Sequence, residues 1–270
     1  MIVIGERLNS SRPAVRDALL GRDRAFIADQ ALLQVRAGAD YLDLNAAGLL
    51  DKEKDALRWA IPVIQKAVDV SLSLDTPDSE AMRAALQVHR GRALLNSLTG
   101  EEKSLRKLLP IIQDHKPRVI VLCLDDDGAA TTPERAVSIA QRVAGVLIDR
   151  GLDPRDIFID PLLRPLATDR DSAVQFLASL RSIRKCMPGV RTVAGLSNLS
   201  YGLPRRRLLN RTMLVLAVEA GLGAAICDPL DSDLRAAMAA SEALLIPDQS
   251  LGGFLRFFWE KKGEKTVRRS

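Results

Sequence analysis

The chain alternates between short apolar segments rich in β-forming residues and longer amphipathic segments, and this alternation repeats eight times. The β-forming segments span residues 2–5, 41–45, 71–75, 93–97, 118–124, 157–160, 192–197 and 224–228. Strands that are buried on both faces read as continuous apolar runs, and parallel strands need a crossover helix between them. The repeat therefore predicts an α/β fold of eight βα units, a (β/α)8 TIM barrel in a single domain.

A doubly wound open sheet is the alternative fold with the same alternation. That fold carries a glycine-rich phosphate-binding turn directly after its first strand. Residues 6–13 of this chain read ERLNSSRP and contain no glycine. The first turn therefore favours the barrel.

Several helices are predicted to begin at residues whose side chains can accept a hydrogen bond from the first helical turn. Asp78 precedes one helical segment, and Thr132 precedes Pro133, a residue type favoured at the first helical position. Thr99 stands shortly before an acidic pair. Asp78, Thr99, Thr132 and Asp231, which precedes a further helical segment, are therefore predicted to be helix N-caps.

The composition fits one large core with a short C-terminal extension. The chain has 270 residues, of which 47% are hydrophobic and 27% charged, and its apolar runs are too short for a membrane span. Residues 1–248 are predicted to form the barrel domain, and residues 249–270 an aromatic helix and a basic tail. The N-terminal sequence MIVIGERLNS lacks the features of a secretory signal, so a cytoplasmic protein is expected.

The net charge of +5 is concentrated at the C-terminus. Residues 256–270 carry +4 of it, which leaves the rest of the chain nearly neutral, and no nucleic-acid partner is expected. The aromatic segment just before this tail consists of Phe254, Phe257, Phe258 and Trp259. It holds four of the ten aromatic residues, which predicts a helix that packs on the barrel or on a second subunit.

Seven of the apolar segments share a second feature, an Asp or Asn at the carboxyl end. In chain order these residues are Asp43 with Asn45, Asp75, Asn96, Asp125, Asp160, Asn198 and Asp228. A barrel brings the carboxyl ends of all its strands to one mouth, where the active sites of such barrels lie. An Asp after a strand is otherwise often a turn or cap residue, and Asp125 and Asp228 fit that role. Asp75 and Asp160 fit it less well, because another cap candidate precedes the helix that follows each.

The predicted mouth contains no histidine and no reactive cysteine. His89 and His115 stand at helix ends before a strand, which places them on the opposite face of a barrel. Cys123 lies inside a predicted strand, and the three cysteines lack metal-site spacing. No histidine base, metal site or protein nucleophile is therefore expected. Carboxylates and amides instead suit a ligand with several N–H donors along one edge, as in a pterin.

Seven sequence blocks resemble, in order and in spacing, those of the pterin-binding, methyltetrahydrofolate-dependent methyltransferase family. The blocks are IGERLN (4–9), GADYLDLNA (38–46), LSLDT (72–76), LLNS (94–97), IDPL (159–162), GLSNLS (195–200) and LLNRTML (208–214). The chain is most similar to the methyltetrahydrofolate:corrinoid/iron-sulfur protein methyltransferases and the methyltransferases of corrinoid-dependent O-demethylases. The resemblance implies methyl transfer between N5 of tetrahydrofolate and the cobalt of a corrinoid (cobalamin) on a partner protein. It also favours a homodimer.

The resemblance further implies roles for individual residues. The implied pterin and folate contacts are Asp75, Asn96, Asp160, Asn198, Tyr201 and Arg206. Asn198 would lie beside N5, the atom that carries the methyl group, and Asn198 and Asp75 are the expected catalytic residues. Asp43, Asn45 and Asn9 are expected to lie behind the residues that contact the ligand and to hold them in position. A tertiary amine leaves poorly as an anion, so N5 needs a proton or a strong hydrogen bond as its methyl bond breaks.

The segment after Asn198 departs from the family pattern. Tyr201 stands where the best-known members carry a polar amide that contacts folate. Arg206 aligns best with a family folate contact, but Arg205 and Arg207 flank it. The sequence leaves open which arginine contacts the pterin, and which meets the glutamate tail of folate or the corrinoid partner.

Two other functions stay open at this point. Dihydropteroate synthases share the barrel and the pterin-binding acids, but they usually carry an Arg-Lys ending on the strand where this chain has GLSN. A folate-binding subunit without turnover of its own is the second alternative.

Overall fold

Eight parallel strands close into a barrel in the computed structural model of the protein, which describes residues 1–245, 250–255 and 257–259. Ten strands occur in the described residues, eight in the barrel and two in a hairpin: β1 (Ile2–Asn9), β2 (Tyr41–Asn45), β3 (Ser71–Asp75), β4 (Leu94–Thr99), β5 (Arg118–Leu122), β6 (Leu124–Asp125), β7 (Gly128–Ala129), β8 (Ile157–Asp160), β9 (Arg191–Gly195) and β10 (Ala224–Cys227). Around the barrel the order is β1, β10, β9, β8, β5, β4, β3 and β2, while β6 and β7 form a separate hairpin. The predicted (β/α)8 fold is confirmed.

Helices connect successive barrel strands on the outside. They are α1 (Pro13–Gly21), α2 (Arg24–Arg36), α3 (Glu53–Ala67), α4 (Ser79–Val88), α5 (Glu102–His115), α6 (Pro133–Asp149), α7 (Ser172–Cys186), α8 (Arg206–Ala220) and α9 (Ser232–Leu245). The first unit differs from the predicted repeat because it contains two helices. Arg22 adopts a left-handed conformation that ends α1, and the Asp23 side chain accepts a hydrogen bond from the Phe26 amide, which starts α2.

Three of the four predicted N-caps are confirmed. The Asp231 carboxylate accepts hydrogen bonds from the Asp233 and Leu234 amides at the start of α9. The Asp78 carboxylate accepts hydrogen bonds from the Glu80 and Ala81 amides, and the Thr132 hydroxyl accepts one from the Arg135 amide. The prediction for Thr99 is wrong. Thr99 is the last residue of β4, and its hydroxyl donates to the Glu101 carboxylate at 2.7 Å instead of capping α5.

The barrel interior is closed by an apolar layer that we call the apolar floor. It consists of Ile4, Leu94, Ile120, Phe158, Val193 and Ala224, one residue from each of six strands, all fully buried. A larger apolar cluster fills the space between the outer strand faces and the helices. The floor therefore forms the base of any site at the mouth.

The C-terminal part of the described chain is a helical run over 250–255 and 257–259. Phe254 and Phe257 line a small cavity together with Met1 and with Met238 of α9, so this side of the run faces the barrel. The predicted boundary at 248/249 and the basic tail lie outside the described residues. No helix among the described residues is long and apolar enough to span a bilayer.

Candidate functional site

A polar layer lies directly above the apolar floor, at the carboxyl ends of the strands. Side chains alternate across a strand, so the residue two positions beyond a floor residue also faces the barrel axis. On β1, β4 and β8 these residues are Glu6, Asn96 and Asp160. The neighbouring strands β2 and β3 add Asp43 and Asp75. The barrel thus brings four of the predicted site residues, Asp43, Asp75, Asn96 and Asp160, into one layer with Glu6.

A short chain of hydrogen bonds fixes the orientation of the Asp75 carboxylate. The Asn45 side-chain amide donates to Asp75 Oδ2 at 2.8 Å. The Asn45 side-chain oxygen accepts from the Ser10 hydroxyl at 3.2 Å and from the Ala47 amide at 3.2 Å. Because these two donors fix the orientation of the Asn45 amide, its NH₂ group points at the carboxylate. Asn45 therefore orients the Asp75 carboxylate.

Asn96 is held by a second, fully buried carboxyl group. Asp43 Oδ1 accepts from the Asn96 side-chain NH₂ at 3.0 Å and from the Ser73 hydroxyl at 2.6 Å. Burial, together with the nearby charge of Asp75, raises the pKa of Asp43 to about 8. With its NH₂ group engaged by Asp43, Asn96 has its side-chain oxygen left to accept from a ligand.

Asp160 ends β8 and is 7% exposed. Its Oδ1 accepts from the Leu162 amide at 2.8 Å, which fixes the carboxyl plane. Burial raises the pKa of Asp160 to about 7. This carboxyl group therefore titrates near neutral pH, and its charge state depends on what binds beside it.

Asn198 lies in a short 3₁₀ turn, Leu196–Asn198, directly after β9. A side chain on Gly195 would place its Cβ 3.1 Å from Asn198 Nδ2, so glycine at that position leaves room for the amide. Arg206, at the start of α8, donates to the backbone oxygen of Ser197 at 2.9 Å and to the Ser200 hydroxyl at 3.1 Å. The guanidinium group of Arg206 thus ties the loop that carries Asn198 to α8.

Tyr201 lies on the rim of the mouth. Its side chain is 69% exposed, and its amide donates to the Asn198 backbone oxygen at 3.1 Å. The structure therefore brings the backbone of Tyr201 to the Asn198 turn but leaves its ring in solvent.

Glu6 is a site residue that the sequence reasoning did not single out. The Ser197 hydroxyl donates to Glu6 Oε1 at 2.7 Å, which joins β1 to the turn that carries Asn198. Burial raises the pKa of Glu6. The alternation Ile2, Ile4, Glu6 along β1 was a signal that could have identified it, because these residues share the face toward the barrel axis.

Two cavities flank the mouth on opposite sides of the polar layer. One, of about 650 Å³, is lined by Asp75 and Asn96 at the ends of β3 and β4. The other, of about 810 Å³, is lined by Glu6, Asn9 and Asn198 at the ends of β1 and β9. Asn9 contacts its own loop, since its Oδ1 accepts from the Ser11 amide at 2.9 Å. Asn9 therefore forms part of the wall of this cavity.

The other strand-end acids make structural contacts. Asp125 pairs with Arg135 at 2.6 Å and with Arg142 at 3.3 Å, which fixes the β6–β7 hairpin to α6. Asp228 pairs with Arg7 at 2.8 Å and accepts from the Leu230 amide at 3.0 Å. Each also accepts a hydrogen bond from the amide two residues on, Asp127 or Leu230, as expected of a turn residue, whereas the ion pairs were not predicted from the sequence.

Neither histidine lies at the mouth. His89 follows the end of α4 and His115 ends α5, so both are on the opposite face of the barrel. Cys123 is buried just after β5, and burial raises the pKa of its thiol far above neutrality. Within the described ranges, no group of three or more His, Cys, Asp and Glu side chains is arranged to hold a metal ion.

The raised pKa of Asp160 predicts a specific pH dependence of stability. Below about pH 3 this carboxyl is protonated in both the folded and unfolded chain, so it contributes no difference. Between pH 4 and 7 the unfolded chain ionises first, so the free energy of unfolding falls as pH rises. The pKa is raised from 3.8 to about 7 and each pKa unit corresponds to about 1.4 kcal/mol, so Asp160→Asn should gain on the order of 4 kcal/mol relative to wild type between pH 4 and 8.

Denaturant unfolding of the ligand-free protein at several pH values measures this effect. The difference between wild type and Asp160→Asn isolates one carboxyl from the other titrating groups of the mouth. Parallel stability curves for the two proteins across this range would contradict a raised Asp160 pKa.

Comparison with known proteins places the chain among relatives of known activity. A family model described as pterin binding enzyme matches residues 5–228. Methylcorrinoid:tetrahydrofolate methyltransferase of Eubacterium limosum is 34% identical over 264 residues, which cover 97% of each chain. Methionine synthase of Mycobacterium tuberculosis (strain ATCC 25618 / H37Rv) is 31% identical over 244 residues, or 84% of this chain but only 20% of that protein.

Among solved structures, dihydropteroate synthase (FolP) of Thermus thermophilus has a TM-score of 0.69 and 23% sequence identity. The match covers 90% of this chain and 94% of that one. At this identity the likeness supports the shared barrel and carries no inference about the reaction.

Proposed function

The chain belongs to the family of pterin binding enzymes, and from this premise we propose that it is a methyltransferase acting between N5 of tetrahydrofolate and the cobalt of a corrinoid protein. The observation that carries the proposal is the likeness to methylcorrinoid:tetrahydrofolate methyltransferase over 97% of both chains. That length includes every strand end of the mouth. Tetrahydrofolate or 5-methyltetrahydrofolate is then one substrate, and the corrinoid is brought by a partner protein.

The polar layer suits the pyrimidine edge of a pterin. An ionised Asp160 can accept two parallel N–H bonds from the guanidine-like edge, which is a strong and directional contact. Asp75, oriented by Asn45, and Asn96, oriented by Asp43, add acceptors around the same ring. Because the supporting residues already fix these groups, little side-chain entropy is lost on binding.

Asn198 is the group we place beside N5. When the methyl group leaves N5, that nitrogen keeps the electron pair of the broken bond and must receive a proton or a strong hydrogen bond. The side-chain NH₂ of Asn198 is a donor of this kind. The corrinoid cobalt is the methyl acceptor, so the protein needs no nucleophile of its own.

Glu6 supplies the proton in this proposal. Its carboxyl group has a raised pKa because of burial and contacts the Ser197 hydroxyl, next to Asn198. In the direction that demethylates folate, the proton moves toward N5 and leaves Glu6 as a carboxylate. In the reverse direction Glu6 recovers the proton as N5 is methylated.

Glu6→Gln is therefore expected to lower the transfer rate at neutral pH by about tenfold to a hundredfold. The variant should also lose part of the pH dependence of the rate, while folate affinity stays within threefold. Single-turnover rates measured from pH 5 to 8 test this. An unchanged pH–rate profile in Glu6→Gln would assign the proton to another group.

Methyl transfer to free cob(I)alamin is the experiment that separates the candidate functions. The purified protein, 5-methyltetrahydrofolate and cob(I)alamin should yield methylcobalamin under anaerobic conditions. Folate binding without any methyl transfer, also with cognate corrinoid proteins, would favour a non-catalytic folate-binding subunit. Condensation of p-aminobenzoate with a pterin pyrophosphate would favour a dihydropteroate synthase. The synthase function is less well supported, because β9 ends at Gly195 and is followed by Leu196, Ser197 and Asn198 instead of a cationic pair.

The mouth of the barrel is also the proposed docking surface for the corrinoid partner, because the cobalt must reach N5. We further propose a homodimer acting in the cytoplasm. Light scattering of the purified protein tests the dimer, and an elution mass of one chain would contradict it.

A further inference from the structure

The cavity of about 810 Å³ beside Asn198 is rich in arginine, and we refer to it as the arginine cavity. Its arginines are Arg7, Arg12, Arg206, Arg207 and Arg211. Its volume is within the range of ordinary small-molecule sites. We propose that the arginine cavity binds the anionic γ-glutamyl tail of folate and gives the protein a preference for polyglutamylated folates. This inference rests on the proposed function and assigns the tail a place in the same mouth.

Three of the arginines are already paired with carboxylates. Arg7 lies 2.8 Å from Asp228, and Arg12 lies 3.7 Å from the same carboxylate. Arg211 pairs with Asp231 at 2.7 Å and with Asp233 at 2.9 Å. These side chains form a nearly neutral wall.

Two arginines leave positive charge in the cavity. Arg206 donates only to neutral oxygens, those of Ser197 and Ser200. Arg207 makes no ion pair within the described part of the chain, although Asp231 lies close enough to feel its charge. Glu6 also faces this cavity, but its raised pKa reduces the negative charge it contributes. The cavity therefore offers guanidinium groups to an added anion.

The geometry of the folate molecule directs its tail to this side of the mouth. In a reduced folate, N5 and the carbon that bears the tail are adjacent atoms of one ring. A pterin whose N5 lies beside Asn198 thus extends its tail from the Asn198 side, and Asn198 lines the arginine cavity. The pyrimidine edge lies at the other end of the ring system, near Asp75 and Asn96.

The second cavity has the wrong charge for an anionic tail. Besides Asp75 it is lined by three acidic side chains, Asp78, Glu80 and Glu101, and by two lysines, Lys103 and Lys107. Acidic groups outnumber basic ones there, so each added glutamate would be repelled. In the arginine cavity each added glutamate brings a carboxylate that a guanidinium fork can bind through two parallel hydrogen bonds.

The test compares three ligands in three proteins. The ligands are 5-methyltetrahydrofolate with one glutamate, the same compound with three glutamates, and a 5-methyl-tetrahydropterin without the tail. The proteins are the wild type, Arg207→Gln and the control Arg205→Gln, which removes a neighbouring exposed arginine that is not among the residues lining the cavity. Calorimetry at low and moderate salt gives the affinities.

The triglutamate should bind the wild type and Arg205→Gln about fivefold to tenfold more tightly than the monoglutamate. In Arg207→Gln this advantage should fall below twofold, while the tail-less pterin binds all three proteins equally. An equal glutamate advantage in wild type and Arg207→Gln, or none in wild type, would overturn the assignment. Loss of tail-less pterin binding in every protein would instead count against the proposed function.

The phosphate of a corrinoid nucleotide loop is a second anion that could occupy the cavity. Methyl transfer to cob(I)alamin and to cob(I)inamide, which lacks that phosphate, distinguishes the two sources. The folate-tail assignment predicts that Arg207→Gln changes the KM of both acceptors equally. A KM of Arg207→Gln that is raised for cob(I)alamin alone, with an unchanged glutamate advantage, would assign the arginine cavity to the corrinoid phosphate. That result would overturn the proposal.

Discussion

Replacing Asn198 with alanine should slow methyl transfer by about a hundredfold to a thousandfold, the usual cost of removing a hydrogen-bond donor at a developing charge. The affinity for 5-methyltetrahydrofolate should change by less than threefold, because the pyrimidine contacts lie on other strands. Single-turnover formation of methylcobalamin at saturating folate measures the rate, and calorimetry measures the affinity.

Asn198→Asp provides a matched test of the donor role. At neutral pH an ionised aspartate can only accept hydrogen bonds, so this variant should be as slow as Asn198→Ala. Toward pH 5 the aspartate begins to protonate and can donate, so its rate should recover relative to the alanine variant. Equal rates for the two variants at every pH would argue that Asn198 does not act as a donor to N5.

Replacing Asp160 with alanine should weaken folate binding by about a hundredfold or more, since charge-assisted hydrogen bonds each contribute about 1.5–3 kcal/mol and two are lost. The transfer rate at saturating folate should stay within threefold of wild type. The control Asp125→Asn alters another strand-end acid, one that pairs with Arg135 and Arg142, and should leave folate affinity unchanged.

Wild-type affinity should also depend on pH through Asp160. This carboxyl has a pKa of about 7 because of burial, so it is largely protonated below that pH in the free protein. If folate binds the ionised form, the dissociation constant rises about tenfold per pH unit below 7 and levels off above it. Asp160→Asn should lack this dependence. A wild-type affinity that is constant from pH 5.5 to 8 would contradict a contact through ionised Asp160.

Most of the fold could be predicted from the sequence, because the alternation of apolar strands and amphipathic helices is regular. All eight predicted barrel strands occur. The two helices after β1 were not predicted, because their separation depends on the left-handed Arg22 and the Asp23 cap, each a single-residue signal. Thr99 was predicted as a cap, yet β4 continues through it.

The site residues could be predicted from the sequence only where a polar side chain stands at the end of a strand. Asp75, Asn96 and Asp160 follow apolar runs directly, so their convergence follows from the barrel itself. The contact between Glu6 and Ser197 could not be predicted in this way. This contact depends on the close approach of β1 and the turn after β9, although β1 and β9 are not adjacent strands around the barrel. The arginine cavity likewise combines residues from parts of the chain that are distant in sequence, among them β1 and α8.

Single-turnover methyl transfer measured against 5-methyltetrahydrofolate concentration tests the central claim most directly, when wild type, Asn198→Ala and Asp160→Ala are compared. The division of the mouth into a pterin clamp and an N5 donor predicts two separate effects. Asn198→Ala should lower the limiting rate and keep the half-saturating concentration, whereas Asp160→Ala should raise that concentration and keep the limiting rate. Equal losses of binding in both variants, with the same limiting rate, would contradict the account.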